Sequence, residues 1–325
     1  MENNSIQQRI IKSVTSVIPS SLRTSWWIIR LTVVISFAVE LLRYFGVVAW
    51  ISKGLSPAFE LVGLPGEAAL SYITGYFVNV YSAIAVMASL HLDARSLTIL
   101  AVMVLCSHNM IVETAVQKKT GSSFWRIIIM RTFSAIALGF ILNLIMPASL
   151  GATTIAGEEI TQTFSFLETL QIWALKTGWL SIKILIIIIG LSVLQRLLSE
   201  FGVIRWLSKL LRPFLHLFGL PGKTSFLWIV ANFLGLAYGA AVMIEESEQG
   251  KISPHDADLL NHHISVSHSN VEDILLLYAA GGLFWWMLLP RLAWAALLVW
   301  ERRLEWWIRA QRKGKTSSPA HPISG

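Results

Sequence analysis

LLRYFGVVAWISKGLSPAFELVGLPGE, residues 41–67, has a second copy in the same chain. LLSEFGVIRWLSKLLRPFLHLFGLPGK, residues 197–223, matches it at 15 of 27 positions without a gap. Phe45 pairs with Phe201, Trp50 with Trp206, Lys53 with Lys209 and Pro57 with Pro213. The blocks Gly63-Leu64-Pro65-Gly66 and Gly219-Leu220-Pro221-Gly222 also coincide. Farther on, Ser107-His108 of SHNMIVET pairs with Ser267-His268 of SHSNVEDI, after four extra residues in the second half. Agreement on this scale is the mark of an ancestral duplication, so the chain reads as two related halves.

Outward from the repeat, each half reads as one apolar span, a surface helix, a Gly-Leu-Pro-Gly turn, a semi-apolar stretch and two more spans. Six crossings follow: 26–50, 92–117, 124–147, 173–195, 256–280 and 283–301. The stretches 67–90 and 223–246 are interrupted by Gly75, Asn79 and Ser82 in one and by Asn232, Gly235 and Gly239 in the other. Broken backbone is tolerated at membrane depth only where protein or a water-filled cavity covers it. Both stretches are therefore expected to be re-entrant hairpins. Three crossings per half is an odd number, which inverts the second half relative to the first. Inverted repeats with interrupted segments at matching places are the sequence signature of secondary transporters. Two full crossings in place of the hairpins would instead give eight spans and parallel repeats.

Composition agrees with a membrane setting. Of 325 residues, 54% are hydrophobic and 14% charged, with mean hydropathy +0.62; soluble domains carry about 25% charged residues. Fourteen Trp suit the membrane–water boundary. The single Cys106 excludes an internal disulfide. The net charge of +7 does not point to nucleic acid, because most basic residues flank apolar spans. Arg9, Lys12 and Arg23, then Lys118, Lys119 and Arg126, then Arg196, Arg205, Lys209 and Arg212, and finally the tail from Arg302 to Lys315, form four basic clusters. No Lys or Arg falls between Thr132 and Leu175, where Glu158, Glu159 and Glu168 sit. The positive-inside rule then places both termini in the cytoplasm and the 148–170 loop outside, with Arg43 and Lys53 as exceptions. The expected fold is an all-α polytopic membrane protein with an inverted repeat. It comprises an amphipathic arm (1–25), a first repeat (26–150), a second repeat (170–305) and a basic cytoplasmic tail (306–325), in a bacterial-type inner membrane.

The polar fifth span carries His262, His263, Ser265, Ser267, His268, Ser269, Asn270, Glu272 and Asp273. On a continuous helix, His262, Ser265, Ser269 and Glu272 share one stripe. The matching place in the first half carries Cys106, Ser107, His108, Asn109 and Glu113. Ionisable groups at membrane depth are costly and normally face a cavity or a partner. Hydrogen-bonded glue between helices is the structural alternative. The candidate binding and coupling residues are Ser107, His108, Asn109, Glu113, Ser267, His268, Asn270, Glu272 and Asp273, with Asn79 and Asn232 from the hairpins. A metal reading draws on Cys106, His108, His268 and Glu272, but the many Ser and Asn suit a polar organic solute better. GLPGKT at Gly219–Thr224 resembles a phosphate loop, yet Leu217 stands where that motif needs glycine, and its twin carries Glu67 in place of Lys223. No nucleophile elbow or HExxH is present, and neither an enzyme nor a cofactor is expected.

The paired FGV-x-x-W-[IL]-S-K and Gly-Leu-Pro-Gly blocks, followed by SHNMIVET and SHSNVEDI, resemble the Gate, or nucleoside-recognition, membrane domain in two copies over about 26–305. That domain occurs in concentrative nucleoside transporters, in the membrane part of ferrous-iron transporters and in the spore-maturation membrane proteins. The chain lacks the GTPase domain and the Gly-Cys-x-Val-Pro motif of the iron transporters, and the Asn-Ala-Ala-Thr-Pro signature of the spore proteins. The resemblance implies transport of a small polar, nucleoside-like solute with a proton or cation. A divalent-metal permease and a non-transporting interaction scaffold stay open. Expected partners are the lipid bilayer, the solute, the coupling ion and a second copy of the chain, with no nucleic acid.

Overall fold

The computed structural model describes residues 2–90, 92–150, 165–233 and 235–316. Gly157, Glu158, Glu159, most of the 148–170 loop and the tail beyond 316 lie outside the described residues. Among the described residues the chain forms fourteen α-helices and no strand. The first half contains α1 (Glu2–Tyr44), α2 (Val47–Glu60), α3 (Ala68–Phe77), α4 (Val80–Ser89), α5 (Ala94–Ser107), α6 (Met110–Lys119) and α7 (Phe124–Ile145). The second repeats this element for element: α8 (Phe166–Glu200), α9 (Val203–Leu217), α10 (Ser225–Phe233), α11 (Leu236–Glu248), α12 (Pro254–Ser267), α13 (Glu272–Ala279) and α14 (Phe284–Thr316). Four stretches, Ile6–Tyr44, Ala94–Lys119, Phe124–Ile145 and Phe166–Glu200, are long and apolar enough to cross a membrane. The polar pair α12–α13 and the helix α14 occupy the places of α5–α6 and α7.

The two halves are inverted. Arg9 near the start of α1 pairs with Glu200 at the end of α8 (3.1 Å), and Tyr44 at the end of α1 packs on Phe166 at the start of α8. These two long helices therefore run antiparallel. The same holds for the central pair. Thr98 in α5 accepts from the Leu283 amide just beyond α13 (2.9 Å), while Ser122 just beyond α6 donates to Asp258 in α12 (2.6 Å). Each crossing starts where its twin ends.

The interrupted stretches turn back on themselves. Ser71 in α3 donates to the Ala83 carbonyl in α4 (3.0 Å). A Cβ on Gly75 would lie 3.0 Å from that of Ala83, and one on Gly239 would lie 3.0 Å from Cα of Ala231. Small residues let the two arms touch. A ten-residue arm rises about 15 Å, half of a ~30 Å hydrocarbon core. The stretches are re-entrant hairpins, so the eight-span alternative does not apply. At the first tip Asn79 caps α4 by accepting from the Ser82 amide (2.9 Å); at the second, Gly235 has φ 85°.

The surface helices α2 and α9 follow turns at Gly46 and Gly202, both left-handed (φ 74° and 68°). The first span thus ends at Tyr44 rather than at 50, and residues 2–25 of the arm belong to the same helix as the span. Trp50 and Trp206 face outward from equivalent places, as interfacial indoles do. Each surface helix ends at the Gly-Leu-Pro-Gly turn with its first glycine left-handed (Gly63 φ 71°, Gly219 φ 73°), a common helix terminator. Leu64 and Leu220, next in each turn, are buried. Lys223 pairs with Asp256 at the start of α12, so the lysine of GLPGKT serves a turn.

Candidate functional site

Both central crossings break at the same place. After Ser107, His108 turns extended and Asn109 adopts φ 47°; after Ser267, His268 turns extended and Ser269 adopts φ 51°. A left-handed non-glycine residue costs roughly 1–2 kcal/mol, so something must hold it. Two matched devices do. The Asn109 amide donates to the Gly75 carbonyl (2.9 Å) and the Ser269 amide to that of Ala231 (3.1 Å), so each hairpin is bonded to the break of its own half. Two fully buried guanidinium groups then satisfy the freed carbonyls. Arg131 of α7 donates to Cys106 O (3.0 Å) and His108 O (2.8 Å); Arg291 of α14 donates to Val266 O (2.9 Å) and His268 O (3.2 Å).

The breaks bring the two histidines together at the crossing point. Nδ1 of His108 bonds Val104 O (3.1 Å), and Nδ1 of His268 bonds Ile264 O (2.8 Å). A carbonyl only accepts, so each ring carries its hydrogen on Nδ1 and turns Nε2 away from its own helix. The two Nε2 atoms face each other at 3.3 Å. Around them lie two carboxylates from equivalent positions. Glu113 Oε1 is 3.2 Å from His108 Nε2, its Oε2 is 3.4 Å from His268 Nε2, and Arg131 holds Oε2 at 2.8 Å. Asp273 Oδ2 is 3.7 Å from His108 Nε2.

A cavity of about 240 Å³ opens beside this cluster, with Asn79, Tyr81, Gly235 and Ser269 among its lining residues. Both hairpin tips and both helix breaks contribute to its wall. His108, Asn109, Glu113, Glu272 and Asp273 also line it. His268 is buried immediately behind, against His108. Tyr81 donates to Glu272 (2.7 Å) and ties the first hairpin to the second half.

Other expected site residues sit behind the wall. Ser107 bonds Met103 O (2.8 Å), and Ser267 bonds His263 (2.7 Å). Asn270 donates to Asn232 Oδ1 (2.6 Å) and accepts from Arg291 (2.9 Å), so both asparagines form a supporting chain. The stripe of His262, Ser265, Ser269 and Glu272 does not form, because it assumed a helix running through Ser269. The break re-aims α13, while His262, upstream in α12, accepts from Arg126 (2.8 Å). Of the metal reading, His108 and His268 converge with Asp273, while Cys106 and Glu272 are not part of that group. Arg131, Arg291 and Tyr81 were absent from the expected site. A lone arginine inside an apolar span at matching places in two halves is a readable signal, since charge at that depth needs a partner.

Residues 25–157 and 181–267 match the family model Gate, described as nucleoside recognition. The uncharacterized membrane protein YvoD of Bacillus subtilis (strain 168) is 31% identical over 279 residues, which cover 85% of this chain and 89% of that one. No solved structure matches. A multi-pass helical chain, duplicated and matched by the model in both halves, belongs to the Gate (nucleoside recognition) family, which is linked to nucleoside recognition and membrane transport.

Proposed function

We propose that this chain is a secondary transporter for a small polar solute of the nucleoside class, driven by a proton or cation. The observation that carries the reading is the cavity where two hairpin tips meet two helix breaks across the inverted repeat. Transporters of inverted-repeat design bind substrate near midplane at such discontinuities. At about 240 Å³ the cavity lies just below the ~300–1,000 Å³ range of ordinary ligand pockets, which suits a small solute. Asn79, Tyr81, Asn109 and Ser269 offer hydrogen bonds to hydroxyls and ring nitrogens. His108, His268, Glu113, Glu272 and Asp273 are the groups that bind or couple.

The orientation we infer is both termini in the cytoplasm of a bacterial-type inner membrane. Arg126 pairs with Glu301 (3.1 Å) and Glu305 (2.8 Å), and Arg303 bonds Gly219 O (2.6 Å). These contacts gather the basic clusters of the α6–α7 turn, α9 and the end of α14 on one face, as the positive-inside rule expects of a cytoplasmic side. Arg43, on the other face, is paired with Glu40.

Uptake by proteoliposomes tests the function. Saturable uptake of at least one nucleoside, enhanced by a pH or cation gradient and lost in Asp273→Asn, is expected. No uptake by the wild type across a panel of purine and pyrimidine nucleosides overturns the reading.

A further inference from the structure

We infer that His108, His268 and Asp273 form a binding site for one divalent transition-metal ion of the zinc class, with Glu113 beside them, at the crossing point of the two broken helices.

Hydrogen-bond direction gives the first reason. Both Nδ1 atoms are committed to main-chain carbonyls one turn back (Val104 and Ile264), so each ring in its neutral form presents an Nε2 lone pair. Two lone pairs at 3.3 Å repel unless a proton or a metal ion is shared between them. A ligating histidine normally carries this same arrangement, with its other nitrogen donating to a carbonyl or carboxylate that fixes the tautomer.

Distance gives the second. Zinc–nitrogen and zinc–oxygen bonds of about 2.0–2.2 Å place tetrahedral donors about 3.3–3.5 Å apart. Here the spacings are 3.3 Å (His108 Nε2 to His268 Nε2) and 3.7 Å (His108 Nε2 to Asp273 Oδ2), with the free Oε1 of Glu113 3.2 Å from His108 Nε2. His108, His268 and Asp273 each offer a donor atom within 4.8 Å of the other two. The set of two imidazoles and a carboxylate suits zinc-like ions rather than calcium or magnesium, which prefer oxygen alone.

Support and access complete the site. Arg131 grips one oxygen of Glu113 and leaves the other toward His108, an outer contact that aims a ligand. Among the described residues the ion-pair contact of Asp273 is His108 Nε2 (3.7 Å), with no guanidinium within that distance. His108, Glu113 and Asp273 also line the cavity, which provides an entry path. As the coupling ion of the proposed transport, the metal rests on that reading; as a bound ligand it does not.

The test therefore measures binding without transport. Purified full-length protein in detergent is dialysed against Zn2+ or Co2+ and its metal content determined. One ion per chain is expected. His108→Gln and His268→Gln should each weaken binding beyond the ~10–100-fold typical of outer-shell changes, while His255→Gln, an exposed histidine elsewhere, leaves it unchanged. X-ray absorption on the zinc-loaded wild type needs no variant. It should show nitrogen and oxygen neighbours with imidazole outer-shell scattering and no sulfur at about 2.3 Å. Absence of binding by the wild type, retention by both histidine variants, or a sulfur neighbour from Cys106 would each overturn the site. Loss of solute uptake with metal binding intact would instead count against the transport reading alone.

Discussion

Arg131 and Arg291 perform the same task in the two halves: each donates to the two carbonyls that flank a helix break, Cys106 and His108 in one case, Val266 and His268 in the other. They differ in their third partner. Arg131 takes the carboxylate of Glu113, whereas Arg291 takes the side-chain oxygen of Asn270.

That difference sets unequal costs. Arg131→Met leaves the mostly buried Glu113 without its guanidinium, beside His108 and His268 alone, and breaking a buried pair typically costs ~3–5 kcal/mol. Arg291→Met orphans only neutral acceptors, at about 1–3 kcal/mol. Thermal unfolding in detergent should rank Arg131→Met as the less stable variant. Adding Glu113→Gln to Arg131→Met should recover part of the loss. Equal melting temperatures for the two single variants would mean that the Glu113 pairing contributes nothing.

The hairpin arms touch through glycine. Gly239 faces the main chain of Ala231 and Gly75 faces Ala83 and Val104. Gly239→Val should therefore force the arms of the second hairpin apart and cost about 1–3 kcal/mol, the usual penalty for overpacking. Gly190→Val, on α8 with open space around it, serves as the comparison. A melting temperature for Gly239→Val as high as that of the comparison would count against close packing of the hairpin.

Topology is checked by labelling. Cys106 is buried, so an impermeant thiol reagent should leave the wild type unmodified. Leu167→Cys, exposed at the start of α8, should react from outside the cell. Lys251→Cys, in the turn before α12, should react only after permeabilisation. Labelling of both from the same side would contradict an inverted arrangement.

The Gly-Leu-Pro-Gly-Lys-Thr segment should bind no nucleotide. Lys223 is half exposed and spoken for by Asp256, so Lys223→Ala should cost no more than about 1 kcal/mol. Isothermal titration with ATP and GTP should be flat for both forms. Heat that disappears with the substitution would revive a phosphate-binding role.

Coupling is separable from folding. Glu272→Gln and Asp273→Asn keep shape and hydrogen-bonding capacity but remove titration, so both should insert normally and lose gradient-driven uptake. His268→Ala should weaken solute binding as well. Uptake that stays normal across the pH range in both amide variants would remove these carboxylates from coupling, and failure to insert would make them structural glue.

The duplication could be read directly because identity between two segments needs no folding to be seen. Once Leu41–Glu67 and Leu197–Lys223 are aligned, an odd number of crossings per half makes inversion the consequence. The interrupting Gly and Asn residues marked the hairpins, since small residues are what two close arms require. His108, Glu113, His268 and Asp273 stood out as ionisable groups at matching places in the two halves. The helix breaks were not legible. Helical periodicity runs without a mark through Asn109 and Ser269, and their left-handed backbone persists because distant groups hold it: carbonyls of Gly75 and Ala231 on the hairpins, and guanidinium groups on α7 and α14. The division of labour between Glu272 and Asp273 was hidden for the same reason. They are neighbours in the chain, but successive residues on a helix point about 100° apart, so one meets Tyr81 and the other His108. Sequence determined which chemical groups stand at matching places in the two halves; the tertiary structure decided which of them touch, because that depends on where the backbone turns, and the turn is fixed by contacts from elsewhere in the chain.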